Sequence, residues 1–177
     1  YLAVPEPAVP ALWDRVLRAQ AKARLGADDA FAAIDSIAAV SAADASFLRA
    51  IASYVRKQPS EVLLHIEQGL DSLMQAPWCR TRLVDEALEL LPELARNHKA
   101  AADPRFGVIF EKLGRAYPVE IVRNVRQGIR CEMAMHLKVP QQLAAVESLG
   151  TPYPWTGRAL AMRVSAYLQA GDPPGAA

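Results

Sequence analysis

The stretch ARLGADDAFAAI, residues 23–34, joins two predicted helices through a short turn. Gly26 tolerates the left-handed backbone conformation that often ends a helix. Asp28 or Asp29 can cap the helix that follows, and that helix carries Phe31 and Ile34 on its apolar side. The stretch therefore predicts a helix, a tight turn and a second helix.

The same arrangement returns at three other places along the chain. Each has a helix end, a turn of two to four residues with Gly or Pro, an acidic residue and a new helix: YVRKQPSEVLLHI (54–66), GRAYPVEIVRNV (114–125) and YLQAGDPPGAA (167–177). The turn markers Gly26 and Gln58 are 32 positions apart, whereas the steps to Tyr117 and Gly171 are 59 and 54. We therefore expect an irregular helical repeat.

Most of the remaining sequence also shows the 3.6-residue period of an amphipathic helix, and no run alternates as a strand does. We predict an all-α fold of about nine antiparallel helices, each of about 10 to 20 residues. Ser41 opens the third helix with Asp44 three residues later, and Pro59 and Pro104 suit the first turns of two others. Pro92 should kink or divide the fifth helix.

The turn residues resemble the tetratricopeptide repeat, a pair of antiparallel helices of about 34 residues. In that pattern an aromatic residue closes the first helix, Gly marks the turn, and a small residue opens the second helix. Tyr167, Gly171 and Ala176 fit best, and Tyr54 also fits, although its turn lacks Gly. The resemblance covers about half of the chain and implies hairpins stacked into a superhelix. A closed helical bundle is the alternative.

Composition places the chain among ordinary globular domains. It has 177 residues, of which 52% are hydrophobic and 22% charged, and its net charge is +1. Such a balance lacks the basic character typical of nucleic-acid binding. Charge-free runs reach only about ten residues, short of the roughly twenty that a membrane-spanning helix needs. We predict a Pro-rich segment at 1–10, one helical repeat domain at 11–171, and a truncated turn at 172–177.

Both chain ends suggest a processed product or a piece of a longer protein. The first residue is Tyr, and no signal-peptide pattern follows it. At the other end, Asp172 and Pro173 would start a further helix, which we expect beyond Ala177. Without it, the last helix would expose part of an apolar face made of Leu160, Val164, Tyr167 and Leu168. The compartment is open, and both cytoplasm and periplasm fit.

No catalytic, phosphate-binding or dinucleotide motif is present in the sequence. His65 and His136 are predicted to be hydrogen-bonded core residues, and His98 lies in a polar stretch that we expect at the surface. Cys79 and Cys131 lack the spacing of zinc ligands and suit small core positions, although they could pair. We therefore expect no enzyme activity, metal or cofactor.

The acidic residues of the fifth helix share one side, opposite its apolar stripe. They are Asp85, Glu86, Glu89 and Glu93. Paired carboxylates perform acid–base chemistry only where a cleft separates their pKa values. A solvated helix face is the simpler interpretation of these four residues.

Arginine residues give the sequence its strongest binding signal. Arg123, Arg126 and Arg130 fall within about 60° on the seventh predicted helix, with Arg115 before them. Residues 103–138 hold seven basic and four acidic side chains, whereas residues 61–96 hold three basic and seven acidic ones. Arginine forks suit carboxylate or phosphate partners. The alternatives are that the two charged regions pair with each other or that the arginines are solvated.

These patterns favour a non-catalytic scaffold that binds a partner protein or an acidic peptide on a helical-repeat surface. The expected contact residues are Arg123, Arg126, Arg130 and Arg115, together with Tyr54 and Arg56. The alternative is a helical regulatory or positioning domain of a larger enzyme or regulator, with another domain of the same chain as its partner. We expect no nucleic-acid partner and no membrane span.

Overall fold

The prediction of an all-helical chain is confirmed for the part that the structure describes. The structure is a computed structural model that describes residues 12–76, 79–117, 123–147 and 157–171, and these contain no strand. They form nine helices of eight or more residues and two shorter ones. The predicted segments at 1–10 and 172–177 lie outside the described residues, as do Pro77, Trp78 and the connector at 151–155.

The described residues form eleven helices in chain order. They are α1 (Leu12–Leu25), α2 (Ala30–Ala38), α3 (Ala42–Val55), α4 (Pro59–Gln75), α5 (Thr81–Leu88), α6 (Leu90–Ala95), α7 (His98–Ala101), α8 (Pro104–Leu113), α9 (Arg123–Ala134), α10 (Val139–Glu147) and α11 (Gly157–Gln169). The short α7 lies in a stretch for which the sequence predicted no helix.

Local capping chemistry explains where several helices begin. The Ser41 side chain accepts a hydrogen bond from the Asp44 backbone N–H (3.3 Å), and Asp103 accepts one from the Arg105 N–H (2.9 Å) ahead of Pro104. Such side chains satisfy amide groups that have no partner inside the helix. Asp29 precedes α2 but makes no side-chain cap, because its carboxylate pairs with Lys22 instead.

Pro92 divides the predicted fifth helix into α5 and α6. In an unbroken helix the Pro92 ring would clash with the carbonyl group of Leu88, and its nitrogen could donate no hydrogen bond. The helix therefore ends at Leu88, and Pro92 falls in the first turn of α6. The chain also divides here into two compact units: described residues 12–76, 79–90 and 117 belong to the first unit, and residues 91–116, 123–147 and 157–171 to the second.

In the first unit, α1 packs on α2 and α3, α2 packs on α3, and α3 packs on α4 and α5. Its core is a set of fully buried side chains that includes Phe47, Ile34, Leu63, Ile66 and Leu83. The contact between α3 and α4 is close at Gly69, where an added Cβ would lie 2.7 Å from the Phe47 ring.

The two hairpin turns of the first unit share one geometry. Gly26 has a φ of 65° and Lys57 a φ of 59°, and each accepts the left-handed position after its helix. The Ala27 N–H donates to Lys22 O (3.1 Å), and the Gln58 N–H donates to Ser53 O (3.0 Å) in the same six-to-one pattern. Lys57 therefore does in the second turn what Gly26 does in the first.

In the second unit, α9 packs on α8, α10 and α11, and α10 packs on α11. Buried side chains of this unit include Phe106, Ile109, Phe110, Leu113 and Met133. Gly171 follows α11 with a φ of 75°, which confirms the predicted helix end there.

Candidate functional site

Two of the arginines in the predicted row are buried side chains rather than an exposed surface. Arg126 and Arg130 are 6% and 7% exposed. Arg126 Nη1 donates to the carbonyl groups of Leu113 (2.6 Å) and Arg115. Arg130 Nε donates to Phe110 O (3.2 Å), and its guanidinium lies 4.4 Å from the centre of the Phe110 ring. Both side chains thus face the end of α8 rather than a partner.

The end of α8 explains this placement. The last carbonyl groups of a helix accept no hydrogen bond from an N–H group inside it, and they carry the negative end of the helix dipole. A guanidinium on the neighbouring α9 satisfies both requirements. Gly114 makes room for it, because a Cβ there would lie 2.8 Å from Arg130 Cζ. The structure therefore differs from the predicted exposed row because of tertiary packing. The carbonyl groups that accept the arginine hydrogen bonds belong to another helix.

The remaining predicted contact residues are spread over both units. Arg115 is exposed, and Tyr54 is half-buried. Arg123 begins α9, and its side chain lies outside the described part of the structure. Arg56 is exposed, but its Nη2 donates to Ala27 O (3.0 Å) and Asp28 O (3.3 Å). The structure brings Arg126 and Arg130 together and places Tyr54 and Arg56 in the other unit.

Arg56 joins the two hairpin turns of the first unit. Besides its two hydrogen bonds to the first turn, its guanidinium lies 4.8 Å from the centre of the Phe31 ring. Val55, the residue before Arg56, packs closely on Gly26. A Cβ added to Gly26 would lie 2.9 Å from a methyl carbon of Val55. One turn therefore rests directly on the other.

The acidic side of the fifth predicted helix is only partly solvated. Glu89 and Glu93 are exposed as predicted, whereas Asp85 and Glu86 are half-buried. Glu86 accepts from Arg24 Nε (2.7 Å) and Nη2 (2.5 Å), a two-point ion pair between α5 and α1. Burial, with a smaller effect of Glu89, raises the pKa of Asp85.

A buried carboxylate links the starts of α3 and α5. Asp44 is 5% exposed, and its Oδ1 accepts from the Arg80 backbone N–H (2.9 Å) just before α5. Arg80 also reaches Gln20 Oε1 (3.3 Å) on α1. Acceptors at helix starts are favourable because free N–H groups point there. This network joins three helices of the first unit and serves packing.

Both cysteines are free thiols. Cys131 is buried, as predicted, and Cys79 is half-buried. Burial raises the pKa of Cys79 to about 12, with smaller contributions from Asp44 and Asp85. Burial likewise raises the pKa of Cys131 to about 11. A thiol with such a pKa stays protonated at neutral pH and is a weak nucleophile.

A groove with a volume of about 200 Å³ lies in the second unit. We call it the methionine groove; its lining residues are Pro92, Arg96, Glu132, Met135, His136 and Met162. The prediction of a core His136 is wrong, because this side chain is exposed at the groove. The helical period continued past Ala134, but α9 ends there and turns His136 outwards. The adjacent Met135 and His136 were the local signal for the groove.

The other histidines differ from His136. His65 is half-buried and is hydrogen-bonded as predicted, to Gln68 (3.1 Å), although it is not fully in the core. It also lies 3.8 Å from the carboxylate of Glu61, one turn earlier on the same helix. The side chain of His98 lies outside the described part of the structure.

The last described helix exposes an apolar row to solvent. Leu160, Val164 and Leu168 on α11 are 46%, 39% and 56% exposed, and they succeed one another at four-residue spacing. Tyr167, predicted on the same face, is half-buried, and Arg163 lies 5.8 Å from the centre of its ring. We call Leu160, Val164 and Leu168 the α11 row.

Comparisons with known proteins give no relative: no protein family, curated protein or solved structure matches this chain. Within the described residues, no three His, Cys, Asp or Glu side chains come together as potential metal ligands. None of the described helices combines the length and the hydropathy that a membrane crossing requires.

Proposed function

We propose that this chain is a non-catalytic helical-repeat scaffold and that its α11 row binds an acidic amphipathic helix of a partner protein. The observation that carries the proposal is the exposure of Leu160, Val164 and Leu168 at four-residue spacing. That spacing is the one by which helices pack on each other. A row of this kind is most favourably covered by another helix, because three aligned side chains then leave water together.

The first unit supports a tetratricopeptide-like arrangement. Two hairpins, α1 with α2 and α3 with α4, succeed each other, and the leading helices α1, α3 and α5 pack in series. Stacked hairpins require these contacts. The matching turns at Gly26 and Lys57, 31 positions apart, favour the same arrangement. The period is close to the 34 residues of that repeat family.

Charge selects the kind of helix that the α11 row would take. α11 contains no acidic residue, and Arg163, three positions after Leu160, borders the α11 row. A partner helix with glutamate or aspartate beside its apolar side chains would complement this arginine. We therefore keep an acidic partner in the proposal. Its binding site is placed on α11 instead of on the arginines of α9.

A peptide-binding experiment tests this function. The probes are two helical peptides with the same leucine pattern, one carrying glutamates and the other lysines on the polar face. We expect the acidic peptide to bind at least about tenfold more tightly, which corresponds to about 1.4 kcal/mol, and its affinity to fall as salt rises. Fluorescence anisotropy measures both affinities.

The chain offers a matched control for this site. Val164 on α11 and Val108 on α8 are 39% and 41% exposed. Val164→Glu should abolish binding of the acidic peptide, whereas Val108→Glu should leave it unchanged. Equal binding of the two peptides, or equal loss in both variants, would disprove the proposed site. Concentration-dependent dimers that Val164→Glu abolishes would identify a second copy as the occupant and overturn the acidic partner.

A further inference from the structure

The methionine groove brings together thioether and imidazole side chains from the turn after α9 and from α11. Met135 and His136 come directly after the end of α9, and Met162 lies on α11. Two residues along a helix turn through about 200°, so Met162 faces away from Leu160. The groove is therefore separate from the α11 row, and a ligand bound in the groove would be independent of the proposed function.

We propose that the methionine groove binds a soft monovalent metal ion, Cu(I), through the thioethers of Met135 and Met162 and the imidazole of His136. Thioether sulfur and imidazole nitrogen are ligands that Cu(I) accepts, whereas calcium and magnesium take oxygen ligands. Glu132 is the one carboxylate among the described lining residues of the groove. The set of donors thus favours a soft ion over a hard one.

The end of α9 gives a second reason for a cation at this place. α9 has 12 residues and ends at Ala134, directly before Met135. The His136 N–H donates to Met133 O (3.0 Å), which ties the turn that carries both donors to the last turn of the helix. The carboxyl end of a helix has a partial charge of about −0.5, which attracts cations.

The local charge favours a monovalent ion over a divalent one. Arg96 and Glu132 both line the groove and balance each other formally. With this pair neutral, a monovalent ion leaves one uncompensated positive charge and a divalent ion leaves two, and no further carboxylate among the described lining residues offsets either. Zinc also prefers three or four donors from Cys, His and carboxylates, and the groove has one histidine and one carboxylate among its lining residues.

The experiment uses Ag(I), a redox-inert probe for a Cu(I) site, on the complete chain with Cys79→Ser and Cys131→Ala so that thiols do not compete. Isothermal titration should give one bound ion. Met135→Leu and Met162→Leu should each weaken binding about tenfold or more, because each removes a ligand while keeping the volume. Met74→Leu removes a half-exposed methionine of the first unit and should change nothing.

A second measurement covers the case in which the cysteine substitutions disturb folding. In the wild-type chain with carbon-13-labelled methionine methyl groups, Ag(I) should shift the signals of Met135 and Met162 and leave Met74 unshifted. Shifts confined to other methionines would overturn the site, as would unchanged affinity in both leucine variants. Tighter uptake of Zn(II) than of Ag(I) would overturn the choice of a soft ion.

Discussion

Replacing Arg130 by methionine tests whether the buried arginines hold the second unit together. Methionine keeps much of the apolar stem but removes the guanidinium. The Phe110 carbonyl, 3.2 Å from Arg130 Nε, then loses its charged donor, and the stacking on the Phe110 ring is lost. The second bond, from Nη1 to Ala144 O at 3.5 Å, is at the limit of hydrogen bonding and adds little.

The expected loss results from opposing contributions. A hydrogen bond to a charged donor stabilises by about 1.5–3 kcal/mol, and a desolvated cation–π contact by up to about 2 kcal/mol. Against these stands the cost of burying a guanidinium, several kcal/mol, which methionine avoids. Because the carbonyl of Phe110 stays buried without its donor, we expect a net destabilisation of about 2 kcal/mol.

Urea unfolding measured by circular dichroism gives the free energy of unfolding, and hydrogen exchange of peptides from α8 and α9 localises the loss. Arg105→Met is the control, since the Arg105 side chain is 44% exposed on the same unit and its replacement should change stability by less than about 0.5 kcal/mol. A variant at Arg130 as stable as the wild type would refute the reasoning, because desolvation would then outweigh the carbonyl contacts.

Three other substitutions have defined outcomes. Gly69→Ala should lower the free energy of unfolding by about 1–3 kcal/mol, because the new Cβ would lie 2.7 Å from the Phe47 ring. Urea unfolding measures this loss, and adding Phe47→Leu to the same chain should recover part of it. Lys57→Gly should raise the free energy of unfolding by about 1 kcal/mol by removing left-handed strain, and Lys57→Ala should give no gain. Asp85→Asn should raise the melting temperature at neutral pH. Burial and then Glu89 raise the pKa of Asp85, so its destabilising effect is complete above that raised pKa and disappears below about pH 4, the range of an unfolded aspartate. Melting curves from about pH 4 to 8 should converge at the acidic end, and a constant difference would contradict this account.

The positions of the helices were predictable because their signals are local. Ser41 caps α3 and Pro104 begins α8 as predicted, and Pro92 divides one helix as its missing N–H requires. A cap or a proline acts on its own helix within one turn, so the sequence carries the necessary information.

The role of the arginines was not predictable in the same way. The helical period placed Arg126 and Arg130 on one face of α9, but it contained nothing about what lies opposite that face. Their acceptors are carbonyl groups at Leu113 and Phe110, which every residue possesses and no sequence pattern marks. Only the packing of α9 on α8 makes these groups neighbours.

His136 shows a related limit of periodicity. Its position continued the apolar face of the predicted helix, yet α9 ends two residues earlier at Ala134. Beyond the last turn the period no longer says where a side chain points, and His136 consequently lies at the groove instead of in the core.

The contact between the two hairpin turns restricts how this chain can vary in length. Val55 lies on Gly26, and Arg56 binds the carbonyl of Ala27. The number of residues between the two turns is therefore restricted, because it decides whether Val55 and Arg56 reach the first turn. Removing one residue from α3 would rotate everything after it by about 100°. Tolerated insertions and deletions should therefore occur in the loops or as whole hairpins of about 31 residues, so the hairpin is the step in which such a chain grows or shortens.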